Sequence, residues 1–236
     1  MGKAIETICL SRGHEVVLKV STANAGAAPM GADVAIEFSR PEHALENMKR
    51  CLDHGVPVVV GTTGWYDRMP EVQAMVSKSG GALLWASNFS IGVNLLFRVS
   101  RQLARLMDPH AAYAVKVDEV HHVHKLDAPS GTALTLARDI DLATLRYSGW
   151  VGNEAPAPED PTATRPVPIL SERTGEVPGK HSVSWTSTED RIVLTHEAFG
   201  RQGFATGAVL AAEWLADPRQ QRAGLFTMDD VLNTGS

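Results

Sequence analysis

Val56-Pro57-Val58-Val59-Val60-Gly61-Thr62-Thr63-Gly64 is an apolar run closed by a small polar turn. A strand with no polar residue on either face belongs where both faces of a parallel sheet are covered. Upstream, Ser39 is placed to N-cap a helix from Pro41 to His54, with Pro in the first turn and Gly55 as the stop. Downstream, a short helix around Glu71 to Ser79 leads to a second buried strand, Ala82 to Ala86, which ends in Ser87-Asn88-Phe89-Ser90. Further upstream the β-rich runs Glu15 to Val20 and Asp33 to Phe38 predict two more strands, joined by a small-residue loop, Ser21 to Gly31. The first helix shows Ala4, Ile5, Ile8 and Cys9 on one face and stops at Gly13. Helices alternating with apolar strands make an open α/β sheet, and ligands bind such sheets beyond the carboxyl ends of the strands. Gly61 to Gly64 and Ser87 to Ser90 lie at those ends. Each alone also reads as an ordinary turn.

The second half changes character. Asn94 to Met107 is a long amphipathic helix, and Tyr113 to Val120 alternates like a strand. Six of the thirteen prolines fall between Pro156 and Pro178, which predicts an irregular loop there. His181 to Ser187 and Arg191 to Phe199 read as strands, and Phe204 to Leu215 as a final apolar helix before Met228-Asp229-Asp230-Val231-Leu232. This part reads as a mixed α+β domain with an antiparallel sheet.

Composition bounds the function. In 236 residues the hydrophobic fraction is 44%, the charged fraction 21% and the net charge −5, which excludes a disordered chain and a fibre and argues against a general nucleic-acid binder. The longest apolar stretches are too short to span a bilayer, so no membrane partner is expected. Cys9 and Cys51, both on expected helices, read as buried free thiols. The N-terminus lacks signal-peptide character, and a reducing cytoplasm is the expected compartment.

The chemistry is concentrated in Asp118-Glu119-Val120-His121-His122-Val123-His124-Lys125-Leu126-Asp127-Ala128-Pro129-Ser130-Gly131-Thr132-Ala133. Three histidines and a lysine precede a helix start, whose N–H groups and partial positive charge suit a small carboxylate or phosphate. Gly131 lets the backbone come close and Thr132 adds a hydroxyl. Three readings stand on these residues. One is an acid–base site for an anionic substrate. Another is a metal site using His121, His122 and His124, which the adjacent Lys125 opposes. The third is a solvated loop with Asp127 and Ser130 as caps.

The segment Glu119-x-His121-His122-x-x-Lys125-x-Asp127-Ala128-Pro129-Ser130-Gly131-Thr132-Ala133 resembles the signature of the dihydrodipicolinate reductases of lysine synthesis. Gly61 to Gly64, Ala86 to Asn94, Gly179-Lys180-His181, Arg201 with Phe204-Ala205-x-Gly207-Ala208, and the Met228 to Leu232 segment are similar to family segments in the same order. The resemblance implies a Rossmann-like doubly wound sheet over residues 1–89 and 206–236, and an α+β substrate-binding and tetramerisation domain over 90–205. It implies reduction of a cyclic imine dicarboxylate with NADH or NADPH, in a homotetramer. Carried over by position, His121 is the general acid/base and Lys125 the second proton donor. His122, Gly131, Thr132 and Thr63 hold the small dicarboxylate substrate. Gly61, Thr62 and Thr63, with Ala86, Ser87, Asn88 and Phe89, lie against the nicotinamide end of the cofactor. No metal is implied. A relative that has lost nucleotide binding is the non-enzyme rival.

Two departures stand out. The family opens on a strand and a Gly-x-Gly-x-x-Gly turn, and Gly2 resembles the third glycine of that turn. The expectation is therefore a chain without its first strand and most of the turn, from a truncated or misassigned start, and with a weakened pyrophosphate site. At the end of the Glu15 to Val20 run the family often has an acid for the ribose. Ser21 and Thr22 stand here, with Lys19 nearby, and the choice between NADH and NADPH stays open.

Overall fold

The computed structural model describes residues 1–152 and 164–233. The chain divides into two compact units, Met1–Ile91 with Arg201–Ser236, and Gly92–Gly200.

The first unit carries a parallel sheet. Its strands are β1 (Ala35–Glu37), β2 (Val58–Val60), β3 (Ala82–Trp85) and β9 (Gly224–Phe226), in the order β1-β2-β3-β9. Val58, Val59 and Val60 are all fully buried, as their unbroken apolar run requires. Helices α2 (Pro41–Asp53) and α3 (Met69–Ser79) cover one face, where Leu45, Met48, Val72 and Val76 meet Val58, Val60 and Leu83. On the other face Ala208, Ala211 and Leu215 of α6 (Gln202–Leu215) meet Val59 and Leu84. Helix α1 (Gly2–Ser11) packs on α6 through Ile5, Ala205 and Val209. Arg12 adds a two-pronged ion pair to Glu213, at 2.7 and 2.8 Å. The unit ends in α7 (Met228–Leu232).

Three expectations for this unit change. Residues 15–20 form no strand. They line one wall of a cavity of about 1370 Å³, and β1 lines another. A β-rich run states a preference, but a strand exists only where a neighbour offers its hydrogen bonds. Among the described residues β1 pairs with β2 alone, which leaves its other edge open. Ser39 is not the cap of α2. Arg40 holds that position without a side-chain cap, while the Ser39 hydroxyl turns to Glu37. Cys51 is buried, and burial pushes its thiol up to about 11, but Cys9 is only half-buried.

The second unit carries a five-stranded mixed sheet in the order β5-β6-β4-β7-β8, formed by β4 (Ala114–His121), β5 (Tyr147–Gly152), β6 (Arg165–Arg173), β7 (Lys180–Thr186) and β8 (Arg191–Glu197). The β4–β7 and β7–β8 pairings are antiparallel, whereas β4–β6 and β5–β6 are parallel. Helices α4 (Ile91–Met107) and α5 (Gly131–Ala143) build the core with the sheet. Val93, Phe97, Leu136 and Ile140 pack there on Val117, Ile169, Val183 and Trp185. The irregular loop expected over Pro156 to Pro178 is corrected: residues 165–173 are strand β6. Part of that expectation, residues 156–163, lies outside the described residues.

Candidate active site

Strand β4 alternates buried and half-buried residues, which points Val115, Val117, Glu119 and His121 to the same side. The first two fill the core. Glu119 and His121 continue the row at the strand's end, with 1% and 7% of their surface exposed. A carboxylate so deeply buried needs several partners. Oε1 of Glu119 accepts from the Ser130 N–H at 3.0 Å and from Arg173 Nη2 at 2.9 Å. Oε2 lies 2.7 Å from His121 Nδ1 and 4.0 Å from His181 Nε2. Burial pushes this carboxyl up, but the contacts from His121, Ser130 and Arg173 outweigh it and hold it well below the usual carboxylate range.

Glu119 therefore ties the end of β4 to the start of α5. Ser130 is the N-cap of α5, and its Oγ accepts from the Ala133 N–H at 3.3 Å. The same Oγ is 3.1 Å from Nε2 of His181, a β7 residue. Burial, followed by the neighbouring His121, pushes His181 down to about 3, so it stays neutral near pH 7. Arg173 of β6 reaches the Asp127 carbonyl at 2.5 Å and so fixes the loop from beneath. Lys125 binds both oxygens of Asp127, at 2.7 and 2.9 Å. Helix α5 opens at Gly131, where an added Cβ would meet nothing within 4 Å. His121, His122, Lys125, Gly131 and Thr132 thus stand on one β4–loop–α5 segment. The sequence reading assigned no role to Glu119, Arg173 or His181. The period-two spacing of Glu119 and His121 was the available signal for the first.

The expected histidine cluster is split. His121 turns inward to Glu119, while His124 faces outward and pairs with Glu176 at 3.0 Å. His122 and His124 keep their rings 5.8 Å apart. Among the described residues, the side chains that could converge on a metal are instead Glu119, His121 and His181. The Arg173 guanidinium and the Ser130 N–H occupy Oε1 of Glu119, which leaves Oε2 toward the two histidines, and the adjacent guanidinium charge opposes a cation there.

The other candidate residues stand on the first unit, at the carboxyl ends of β2 and β3. Gly61, Thr62 and Thr63 line a cavity of about 330 Å³ with Met1, Phe38, Ser39 and Pro41. Gly61 is required where it is, since a Cβ would fall 2.1 Å from the Phe38 ring. Thr62 is buried, and its Oγ1 accepts from the Ser39 N–H at 2.7 Å. Thr63 is exposed. Beyond β3, Ala86, Asn88 and Phe89 are buried and Ser87 is exposed. The Phe89 ring packs against Phe38, with centroids 5.8 Å apart, so its side chain is engaged within the unit. Lys19, near the place where the family often has an acid for the ribose, is paired with Glu6. Ser21 is occupied in capping the turn Thr22–Asn24.

The chain matches two family models, "Dihydrodipicolinate reductase, N-terminus" over residues 1–89 and "Dihydrodipicolinate reductase, C-terminus" over residues 92–232. It is 43% identical to a 4-hydroxy-tetrahydrodipicolinate reductase of Christiangramia forsetii, over 99% of this chain and 94% of that one. To the protein of the same name from Chromobacterium violaceum it is 42% identical, over 87% of this chain and 75% of that one. A solved dipicolinate-bound dihydrodipicolinate reductase from Paenisporosarcina sp. TG-14 shares the fold at a TM-score of 0.70 and 21% identity, covering 96% of this chain and 92% of that one. The Rossmann-like unit, the mixed-sheet unit and the Glu119–Ala133 segment find their common explanation here: the chain belongs to the dihydrodipicolinate reductase family.

Proposed function

We infer that the chain reduces 4-hydroxy-tetrahydrodipicolinate to tetrahydrodipicolinate with NADH or NADPH, in the diaminopimelate route to lysine. The observation that carries this reading is the β4–loop–α5 segment, where a buried carboxylate backs His121 and a helix opens at Gly131. His121 would deliver the proton, and Lys125, released from Asp127, would supply a second. His122, Gly131, Thr132 and Thr63 would receive the carboxylates of a small dicarboxylate substrate. Loss of hydroxide as water and reduction of a C=C conjugated to an imine both call for nearby proton donors and positive charge.

The nucleotide supplies the hydride, which no side chain can. Residues at the β2 and β3 ends fit its nicotinamide end: the cavity beside Gly61 is small, and Thr63 and Ser87 are exposed at its level of the sheet ends. We assign residues 1–89 and 206–236 to nucleotide binding and 90–205 to substrate binding and tetramerisation. A cytoplasmic homotetramer is the corresponding cellular form, and Cys9 and Cys51 as free thiols support a reducing compartment.

The test is nucleotide oxidation in the presence of the hydroxylated substrate. His121→Ala and Lys125→Met should each lower turnover by about 10²–10⁴-fold while nucleotide affinity is kept. Near-wild-type turnover in both variants would sink the assignment.

A further inference from the structure

We propose that Glu119 is a positioning residue for the reaction, holding the His121 ring with Nδ1 against its own carboxylate so that Nε2 is the atom that exchanges the proton. The proposal rests on the acid–base reading of His121 and adds which nitrogen works and what selects it.

Geometry carries the argument. His121 Nδ1 is 2.7 Å from Glu119 Oε2, an ion-pair distance without the alignment of a hydrogen bond, and Glu119 is 1% exposed. An ionised carboxylate presents only lone pairs, so an unprotonated Nδ1 at this distance would be repelled, and the protonated Nδ1 is the form that can sit there. In the neutral imidazole the other nitrogen, Nε2, then has the lone pair, and in the cation it has the transferable proton. On the Nε2 side the backbone makes room: a Cβ at Gly179 would lie 3.1 Å from Nε2 and 3.3 Å from the adjacent ring carbon. Gly179 has φ +154°, which also favours glycine.

The carboxylate is itself held against rotation. Its other oxygen is fixed by the Ser130 N–H and by Arg173 Nη2, which come from the start of α5 and from β6. From β7, His181 stacks edge-on against His121 with ring centroids 5.0 Å apart. Being neutral near pH 7 and 4.0 Å from Oε2, it does not displace His121 from the carboxylate. The other charged groups around this assembly are Lys125 and Asp127, which pair with each other; His196 on β8, opposite His181 in register, is titratable but pushed down by burial. Glu119 thus meets three elements at once and leaves one oxygen for one nitrogen.

The experiment is ¹⁵N NMR of ring-labelled histidine in the intact protein, with steady-state kinetics, for wild type, Glu119→Gln and Glu119→Asp. In wild type, neutral His121 should be the Nδ1–H tautomer. Glu119→Gln, whose amide can donate as well as accept, should mix in the Nε2–H tautomer and lower kcat on the order of 10²-fold or more with little change in nucleotide KM. Glu119→Asp should restore part of both. An Nε2–H tautomer in wild type overturns the proposal, even if Glu119→Gln does not fold. So does a folded Glu119→Gln with unchanged tautomer and kcat, which would leave Glu119 a purely structural group. Failure of the acid–base reading itself looks different: His121→Ala keeps its turnover while the wild-type tautomer stays Nδ1–H.

Discussion

Arg173 and Glu119 meet at 2.9 Å with the carboxylate fully buried, and the same guanidinium nitrogen holds the Asp127 carbonyl. One ion pair therefore joins β6, β4 and the loop that carries Lys125. Arg173→Met should destabilise the protein near the lower end of the ~3–5 kcal/mol expected when a buried charge loses its partner, because Ser130 and His121 remain on Glu119. Urea unfolding measures this. The double variant Glu119→Leu/Arg173→Met should recover much of the loss, since two apolar groups leave no stranded charge. If the double variant is as unstable as the sum of the two single variants, the pair is not coupled.

The same site makes stability sensitive to acid. The folded state keeps His181 neutral down to about 3, whereas an unfolded histidine takes a proton below its usual 6.5. Between those values the unfolded chain binds the extra proton, so stability falls as pH falls. The loss should be about 2 kcal/mol between about pH 7 and about pH 5. Glu119, held below its usual range, adds a further loss as pH drops below about 4.5. Unfolding free energies of wild type and His181→Asn over this range are the check. The variant should show a shallower slope, and equal slopes would mean that His181 is protonated in the folded state.

Substitutions at the start of α5 separate ligand effects from fold effects. A Cβ at Gly131 meets open space, so Gly131→Ala should keep or slightly raise the melting temperature while crowding a carboxylate at the helix start. Thr132→Val should raise the substrate KM or weaken a dicarboxylate inhibitor by about 1.5–3 kcal/mol, the value of a hydrogen bond to a charged group. Inhibitor titration against both variants decides it. Unchanged affinity in both would make this helix start a structural cap only.

Gly207 of α6 lies directly under the segment after β3. An added Cβ would fall 1.7 Å from the Phe89 carbonyl oxygen, and backbone cannot swing aside as a side chain can. Gly207→Ala should cost about 1–3 kcal/mol through overpacking and lift Ala86 to Phe89. Calorimetric titration with NADH and NADPH should show weaker binding alongside a lowered melting temperature. Unchanged nucleotide affinity in a destabilised variant would separate this loop from the cofactor.

Where a strand is covered on both faces, its own residues announce it, and β2 and β3 were legible for that reason. Strand β6 was obscured by Pro166 and Pro168. At Val167 and Pro168 it pairs with β5, and its ladder with β4 begins only at Ile169, so the prolines sit where a missing N–H is tolerated. Strand β5 was hidden by a register shift between Tyr147 and Trp150. The run over 15–20 misled in the opposite sense, since six β-rich residues cannot supply a partner. At the site, the residues of the β4–α5 segment were readable because they are contiguous. Arg173 and His181 were not, because β6 and β7 deliver them from elsewhere in the chain and only sheet order brings them to Glu119.

The open edge of β1 has a consequence in concentrated solution. A strand with one unpaired side is a template for another extended segment, and a twin molecule is the most abundant source of one. Across the adjoining cavity, Val17 and Val20 are more than half exposed, so the rim offers apolar side chains beside free backbone groups. Self-association through this rim of the first unit is the expected consequence. Tolerance of high protein concentration should follow how well that rim is shielded.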